Sequence, residues 1–406
     1  MLDQKTIEII KSTVPVLEEH GEAITTRFYE LMFGNHPELL NIFNHANQKQ
    51  GRQQKALASA VYNAAKYIDN LEAIIPVVKQ IGHKHRSLGI TAEQYPIVGK
   101  HLLLAIKDVL GDAATDEIMN AWEKAYGVIA DAFISVEADM YNEAEQSHGG
   151  WKGFRKFIVD KKVKESDVIT SFYLKAEDKQ AISSFIPGQY ISVKCSIDGE
   201  EYTHIRQYSL SDAPNKGHYR ISVKRETGQG DIPDGKISNY LHDDVQEGDI
   251  LNLSAPAGDF VLNTEVQNDV VLLSGGVGIT PMVSMLNTIA DTQPERKVTF
   301  IHAAINGNVH AMKDEVSAVT SKNEQISAYY SYNAPTVEDI NNKAFDHEGF
   351  ITLEWLQQIV HNTNADFYFC GPLPFMKTVY QLLKEIGAPQ DNIHYEFFGP
   401  ASDLEG

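Results

Sequence analysis

Cysteine is nearly absent: Cys195 and Cys370 are the only two in 406 residues. So distant a pair supplies neither a disulfide framework nor a tetrathiolate metal site, and it suits a reducing compartment. Positive charge is also short. Thirty-five Lys and Arg face 55 Asp and Glu, a formal net charge of -20, which argues against a nucleic-acid partner or stable anchoring on an anionic membrane. No apolar run approaches the roughly 20 residues of a membrane span. The first residues, Met1-Leu2-Asp3-Gln4-Lys5, lead into an amphipathic pattern and not into a basic segment plus apolar stretch. The expected location is the cytoplasm. Hydrophobic residues make up 43% and charged residues 22%, a globular composition, and the length allows two or three domains.

Helical periodicity fills the first third. From Thr6 to about Glu145 apolar residues recur every three or four positions, as in Ile7, Ile10, Val14 and Leu17, or Ile118, Trp122, Ala125, Ile129 and Phe133. Gly21, Pro37, Gly51, Pro76, Pro96 and Gly111 read as punctuation between six or more helices. Such helices pack around an internal core or a large apolar ligand.

The stretch Lys79 to Arg86 holds two histidines, His83 and His85. Two residues apart on a helix they point about 200° from each other, so one can face a pocket while the other lies at the surface. A proximal haem ligand needs a neutral imidazole with one nitrogen on iron and the other held by a hydrogen-bond acceptor. Other residues fit such a pocket. Tyr29, beside Phe28, falls on an apolar stripe where a buried hydroxyl must find a partner. Phe43 ends an apolar segment and is placed to lie against a flat macrocycle, and Gln53 and Leu57 stand one turn apart on one helix face. The bland alternatives are a satisfied core tyrosine, an ordinary core phenylalanine and a solvated helix start.

Residues 1–145 resemble the globin domain of bacterial flavohaemoglobins. Phe28, Tyr29, Phe43, Gln53 and Leu57 stand where that family places its distal pocket, and His85 where it places the iron ligand. The resemblance also implies that Tyr95 and Glu137 hydrogen-bond the ligand histidine and each other. A charged acceptor pushes electron density toward iron and favours activation of bound oxygen over storage. Lys84 matches a family position that tunes the balance between haem and flavin, and Glu396 is assigned to the same task.

After Gly149-Gly150 the pattern turns to short strands: Phe154–Val159, Val168–Leu174, a strand entered through Pro187-Gly188 that contains Tyr190, and Tyr219–Arg225, which contains Lys224. This spacing predicts a small antiparallel barrel. Within it Arg206-Gln207-Tyr208-Ser209 offers a guanidinium for pyrophosphate, a ring to lie against an isoalloxazine and a hydroxyl for flavin nitrogens. The stretch from Gly235, with Ser238, opens a helix whose free N–H groups suit a phosphate. The order resembles the FAD domain of the ferredoxin–NADP reductase superfamily over residues 151–263, although Gly228 to Asp234 is longer and more acidic than most members carry.

The last third, 268–406, reads as a parallel-sheet domain. A buried strand runs from Val270 into Gly275-Gly276-Val277-Gly278-Ile279-Thr280-Pro281, where glycines admit a pyrophosphate, Thr280 reads as the helix cap and Pro281 as its first residue. This turn resembles the nicotinamide-binding turn of the same superfamily. Cys370-Gly371-Pro372 ends another strand, near the nicotinamide in that family, with a small buried hydrophobe as the alternative reading of Cys370. A terminal strand leads into Phe397-Phe398-Gly399-Pro400, positioned to cover the flavin; the family usually has cysteine where Phe397 stands. No basic cluster follows the second strand of this sheet, which favours NADH over NADPH.

The expectation is a three-domain chain: an all-α globin fold, an antiparallel β-barrel, then an α/β parallel-sheet domain. Haem b, FAD and NADH or NADPH are the implied cofactors. NO, O2 and NAD(P)H are the implied partners, with a lipid in the distal pocket a further candidate, and a monomer is expected. Electrons would pass from NAD(P)H as hydride to FAD and then singly to haem, and nitric oxide dioxygenation to nitrate is the implied reaction. The alternatives are a haem peroxidase or alkyl hydroperoxide reductase, and a haem-based gas sensor or oxygen carrier.

Overall fold

The computed structural model describes residues 2–44, 48, 50–228, 230, 233–399 and 404. The chain divides into two compact units, Met1–Arg155 with Ser192–Arg206, and Lys156–Ile191 with Gln207–Gly406. In the first unit six α-helices are described: α1 (Gln4–Ser12), α2 (Val14–Asn35), α3 (Arg52–Lys66), α4 (Ile75–Leu88), α5 (Tyr95–Leu110) and α6 (Asp116–Gln146). Their apolar stripes meet in one core that includes Ile10, Leu17, Ile24, Phe28, Met32, Leu102, Ile106 and Trp122. Pro76 and Pro96 open α4 and α5 from their first turns, where a missing N–H costs nothing.

One expected break is not a break. Gly21 lies inside α2 and is buried, and a Cβ there would stand 3.4 Å from the Cβ of Ala58 on α3. That is ordinary contact, so the helix simply runs through this glycine, and the chain interrupts instead at Thr13, whose hydroxyl donates to the Ile10 carbonyl at 2.7 Å, with Pro15 opening α2.

The strands β1 (Phe154–Lys164), β2 (Ile169–Ala176), β3 (Tyr190–Cys195), β4 (His204–Ser209), β5 (Tyr219–Lys224) and β6 (Ile250–Ser254) form one sheet in the order β4-β3-β6-β1-β2-β5. Pairing of β1 with β2 and of β2 with β5 is antiparallel, with an irregularity between Val159 and Lys161. A short helix, α7 (Lys236–Asp243), separates β5 from β6.

A second sheet follows, built on β7 (Val270–Gly275), β8 (Val298–Ala304), β9 (Ile326–Tyr332), β10 (His347–Glu348), β11 (Asp366–Cys370) and β12 (Ile393–Glu396). All five pairings are parallel. Alternation along β7 sends Val270 and Leu272 to one face, with α8 (Ile279–Thr292) and α9 (Lys313–Thr320), and Val271 and Leu273 to the other, with α11 (Leu353–Ile359) and α12 (Leu373–Glu385). α10 (Val337–Asn341) precedes β10. A sheet covered on both faces needs strands that are apolar on both, and every residue of β7 and β11 is buried. The strand order β10-β9-β8-β7-β11-β12 runs outward one way from β7, then returns to its other side. The reversal between β7 and β11 is the crevice where open α/β sheets bind ligands.

Burial in this sheet leaves an acid-labile point. His302 on β8 is fully buried, its Nδ1 lies 2.8 Å from the Ser274 hydroxyl, and desolvation pulls its pKa from 6.5 down to about 3. Its ring lies 4.4 Å from that of His310, whose pKa burial lowers in the same direction. The folded state therefore keeps His302 neutral, and stability is lost as pH falls through the unfolded-state value. Between pH 7 and pH 5 the fall is roughly 2 kcal/mol for His302 alone. Denaturant unfolding at the two pH values should show a smaller fall in His302→Gln than in the parent; equal falls would assign the acid sensitivity elsewhere.

Candidate functional site

His85 sits in the last turn of α4, which Gly89 ends in the left-handed region at φ 79°. Its Nδ1 is 2.7 Å from Glu137 Oε1 on α6 and 3.2 Å from the Tyr95 hydroxyl on α5. Tyr95 donates to the same carboxylate oxygen at 2.7 Å. Glu137 is only 3% exposed, so its charge acts on these partners and is little screened by water. Burial first, and Glu137 second, push the Tyr95 hydroxyl pKa up, which keeps it a proton donor. Its position is fixed from behind. Tyr126 donates to the Tyr95 carbonyl at 2.6 Å, and it reaches there because residue 99 is glycine: a Cβ would lie 2.4 Å from the Tyr126 ring.

This is the arrangement a metal-ligating imidazole requires. With Nδ1 committed to a charged acceptor, Nε2 is the nitrogen for a metal. Phe133, named above only for its helical spacing, flanks the ring at 6.1 Å. His83 is half-buried and not at the surface as the two-residue spacing suggested; Lys84 is exposed.

On α2, Tyr29 is 6% exposed. The rings of Phe28, Phe33 and Phe43 lie 4.8, 5.6 and 5.8 Å from its own. Burial raises the pKa of its hydroxyl, against hydrogen bonds with Gln53 and Gln48 that act the other way. Gln53 is the partner expected at the start of α3. Gln48 was not legible, since it lies before the helix in a stretch without periodicity; its Oε1 in turn accepts from Gln54 at 3.1 Å. Leu57 is half-buried against the same core.

Among the flavin candidates, Tyr190 opens β3 and exchanges two 2.9 Å backbone bonds with Ala257. Its ring lies 3.0 Å from where a Cβ on Gly258, at φ 116°, would stand, so that turn needs glycine. Arg206 is half-buried and donates to the Ile205 carbonyl at 2.7 Å. Gln207 and Tyr208 are half-buried and Ser209 is buried. Lys224 is ion-paired with Glu226 at 3.1 Å. The Ser238 hydroxyl accepts from the Glu226 N–H at 3.1 Å and donates to the Gly235 carbonyl at 2.9 Å, which pins the start of α7. Phe397 packs on the second sheet's core and Phe398 is 48% exposed. Gly399 is exposed, and Pro400, like part of the Gly228–Asp234 loop, lies outside the described residues.

At the carboxyl ends of β7 and β11 two glycine turns meet. A Cβ on Gly278 would fall 2.1 Å from the Cys370 carbonyl, and one on Gly371 2.6 Å from the Phe375 ring. Gly276, at φ 54°, has nothing within 4 Å of such a Cβ, so the turn is packed on one side and open on the other, as a backbone cradle for pyrophosphate must be. The helix begins earlier than the sequence suggested. α8 starts at Ile279 with Gly278 as its cap residue; Thr280 donates to the Val277 carbonyl at 3.0 Å inside the first turn, and Pro281 is the third helical residue. Cys370 is fully buried, and burial, then the charge of Glu396 paired beside it in β12, raises its thiol pKa well above the usual value. It is a small apolar residue here and not a nucleophile.

No helix among the described residues is long and apolar enough to cross a membrane. Three family models match the chain: Globin over residues 26–133, Oxidoreductase FAD-binding domain over 156–262 and Oxidoreductase NAD-binding domain over 272–381. The chain is 67% identical over 405 residues to a Flavohemoprotein of Bacillus thuringiensis subsp. konkukian, covering 100% of both. Its fold is similar to that of a flavohemoglobin from Malassezia yamatoensis solved with bound FAD and heme, with a TM-score of 0.84 and 27% identity over 98% of this chain and 100% of that one. The flavohem-like FAD/NAD-binding domain of a nitric oxide dioxygenase from Vibrio cholerae O1 biovar El Tor is 38% identical with a TM-score of 0.55, covering 61% of this chain and 99% of that one. A helical unit in which a histidine and a tyrosine converge on one buried glutamate, followed by two sheet domains, thus has full-length relatives of one kind, and the chain belongs to the flavohemoprotein family.

Proposed function

We propose that this oxidoreductase is a nitric oxide dioxygenase that converts NO and O2 to nitrate with electrons from NAD(P)H, acting as a cytoplasmic monomer in NO detoxification. Residues 1–145 would hold haem b, 151–263 FAD and 268–406 the nicotinamide nucleotide. Haem supplies an iron centre for diatomic gases, and FAD supplies the change from two-electron hydride chemistry to single-electron transfer.

The observation that carries this reading is the 2.7 Å contact between His85 Nδ1 and the buried Glu137 carboxylate. A carboxylate acceptor makes the imidazole a stronger electron donor through Nε2 than a carbonyl acceptor would, which suits oxygen activation. Tyr95 shares the carboxylate and holds its direction. Tyr29 keeps its proton, with Gln53 and Gln48 as hydrogen-bond partners, and would be the donor to a diatomic ligand held by the haem. Phe28, Phe43 and Leu57, which pack with Tyr29 in the same core, would keep that side of the haem apolar. Lys84 and Glu396 would tune electron passage between the two redox centres. The solved Vibrio cholerae relative is described as part of a nitric oxide dioxygenase, in support.

For the reductase part, Tyr190, Arg206 to Ser209, Lys224, Ser238 and Phe397 to Pro400 would contact FAD, and Gly276 to Pro281 with Cys370 to Pro372 the nucleotide. NADH is favoured. The loop after β8 carries no Lys or Arg from Ile305 to Met312, and the Asp339 carboxylate accepts the Gly307 N–H there at 3.1 Å, which opposes a 2′-phosphate.

The test is NO consumption by the haem- and FAD-loaded protein in aerobic buffer, with nitrate followed. Rapid NADH-dependent conversion to nitrate is expected; persistence of NO while NADH reduces the flavin would overturn the reading and turn attention to peroxide. Two variants probe the pocket. Tyr29→Phe should speed oxygen dissociation about tenfold to a hundredfold, the worth of one hydrogen bond to a charged group, by stopped-flow ligand replacement; an unchanged rate removes Tyr29 from this role. Glu137→Gln should weaken the donation by His85, seen as a lower iron–histidine stretching frequency and a raised haem potential, with NO turnover down on the order of tenfold. An unaltered stretch would mean that the carboxylate does not act on the ligand.

A further inference from the structure

Between the strand that carries Tyr208 and Ser209 and the helix that carries the nucleotide turn lies a network of half-buried carboxylates around one buried guanidinium. Arg220 on β5 is 3% exposed and forms a two-pronged ion pair with Glu315 on α9, at 2.7 and 2.9 Å. Its other contacts fix the guanidinium plane. It donates to the Ser211 carbonyl at 3.1 Å through Nε, again through Nη2, and lies over the Tyr173 ring at 5.8 Å. Asn287 on α8 donates to Glu315 at 2.7 Å and to Asp212 at 3.3 Å. Ser284, fully buried on the same helix, donates to the Asp212 carbonyl at 2.7 Å. Burial would raise the Asp212 pKa, but His218, Arg220 and Asn287 overcome it and hold the carboxyl down at about 2.

The positions of these residues give the network its meaning. Asp212 follows Ser209 by three residues, and Ser284 and Asn287 follow Gly278 by six and nine. Apolar packing between the two sheets also exists, since Phe260 and Leu262 share the core of α8. Packing of that kind tolerates sliding by fractions of an ångström. A planar guanidinium gripped by a carboxylate, two carbonyl contacts and a ring does not.

We propose that Asp212, Arg220, Asn287 and Glu315 form a strut that fixes the nucleotide turn of α8 against the Tyr208–Ser209 end of β4 and thereby sets the rate of hydride transfer. They are positioning residues, and the inference rests on the reading of these two elements as nucleotide and flavin sites. Hydride transfer moves two electrons and one proton from the dihydronicotinamide to the flavin, oxidising the first and reducing the second, and no other reactant is needed. The reacting atoms must come within about 3–3.5 Å, and a misplacement of 1 Å costs on the order of a hundredfold.

The experiment uses full-length protein loaded with haem and FAD, as Glu315→Gln and Asn287→Ala. Glu315→Gln leaves a buried guanidinium without its counter-charge, so it can fail to fold; Asn287→Ala removes the bridge without stranding a charge. Under anaerobic conditions the limiting rate of flavin reduction by NADH should fall about tenfold to a hundredfold, with half-saturation by NADH changed less than threefold and FAD content equal to the parent. Hydrogen exchange at amides 276–280 should quicken at least tenfold. Wild-type limiting rates and exchange in folded, FAD-replete Asn287→Ala would overturn the strut. If NADH fails to reduce even the parent's flavin, the nucleotide-site reading falls, and the exchange result alone then decides whether the network holds the turn.

Discussion

The charged acceptor behind His85 is the constraint on which the helical unit depends. A carboxylate 3% exposed is costly to bury, and it is tolerated because two donors converge on one of its oxygens. Those donors come from α4 and α5 while the carboxylate comes from α6, so three helices are tied at one point. Tyr126 behind Tyr95 and the missing Cβ at Gly99 extend the same restraint outward. What would be an expensive defect in a plain bundle is here the feature that gives the imidazole its character.

The second unit solves a different problem, which is to hold two glycine turns at touching distance without collapse. β7 and β11 are apolar on both faces, so helices must cover both, and the strand order must reverse beside β7. The reversal opens the crevice, and the contact of Gly278 with the Cys370 carbonyl closes its floor. Cys370 and Glu396 are register partners at its edge. The thiol stays neutral through burial, and its side chain is smaller than any branched or aromatic apolar one.

The boundaries of elements followed the sequence where punctuation is chemical and failed where a residue has two uses. Pro76, Pro96, Gly51 and Gly111 stop or start helices as read, because a fixed φ or a left-handed turn allows little else. Gly21 does not: its φ is that of an ordinary helical residue within α2, and a lone glycine facing a neighbouring helix is tolerated in a helix interior. Thr280 looked like a cap because threonine followed a glycine turn, yet the turn itself continued into helix and the hydroxyl found the Val277 carbonyl instead. Gln48 carried no pattern at all; only the folded chain brings it to Tyr29.

Alone, the sequence determined the order of helical, antiparallel and parallel segments, since periodicities of 3.6 and 2 and continuous apolar runs are local properties of the chain. It also determined the residue types of the sites, because histidine, tyrosine and the glycine turns stand in recognisable company. Which side chains meet is written in no local pattern: the family resemblance implied the contact of Glu137 with His85 and Tyr95, and only the tertiary structure showed that of Glu315 with Arg220. Glu137 lies 52 residues from His85, and Glu315 lies 95 from Arg220. On an isolated helix either carboxylate would be a solvated surface group. Glu137 is itself buried and Glu315 meets a buried guanidinium; that is what makes one an acceptor for an imidazole and the other an anchor for an arginine, and burial is a property of the fold and not of the chain.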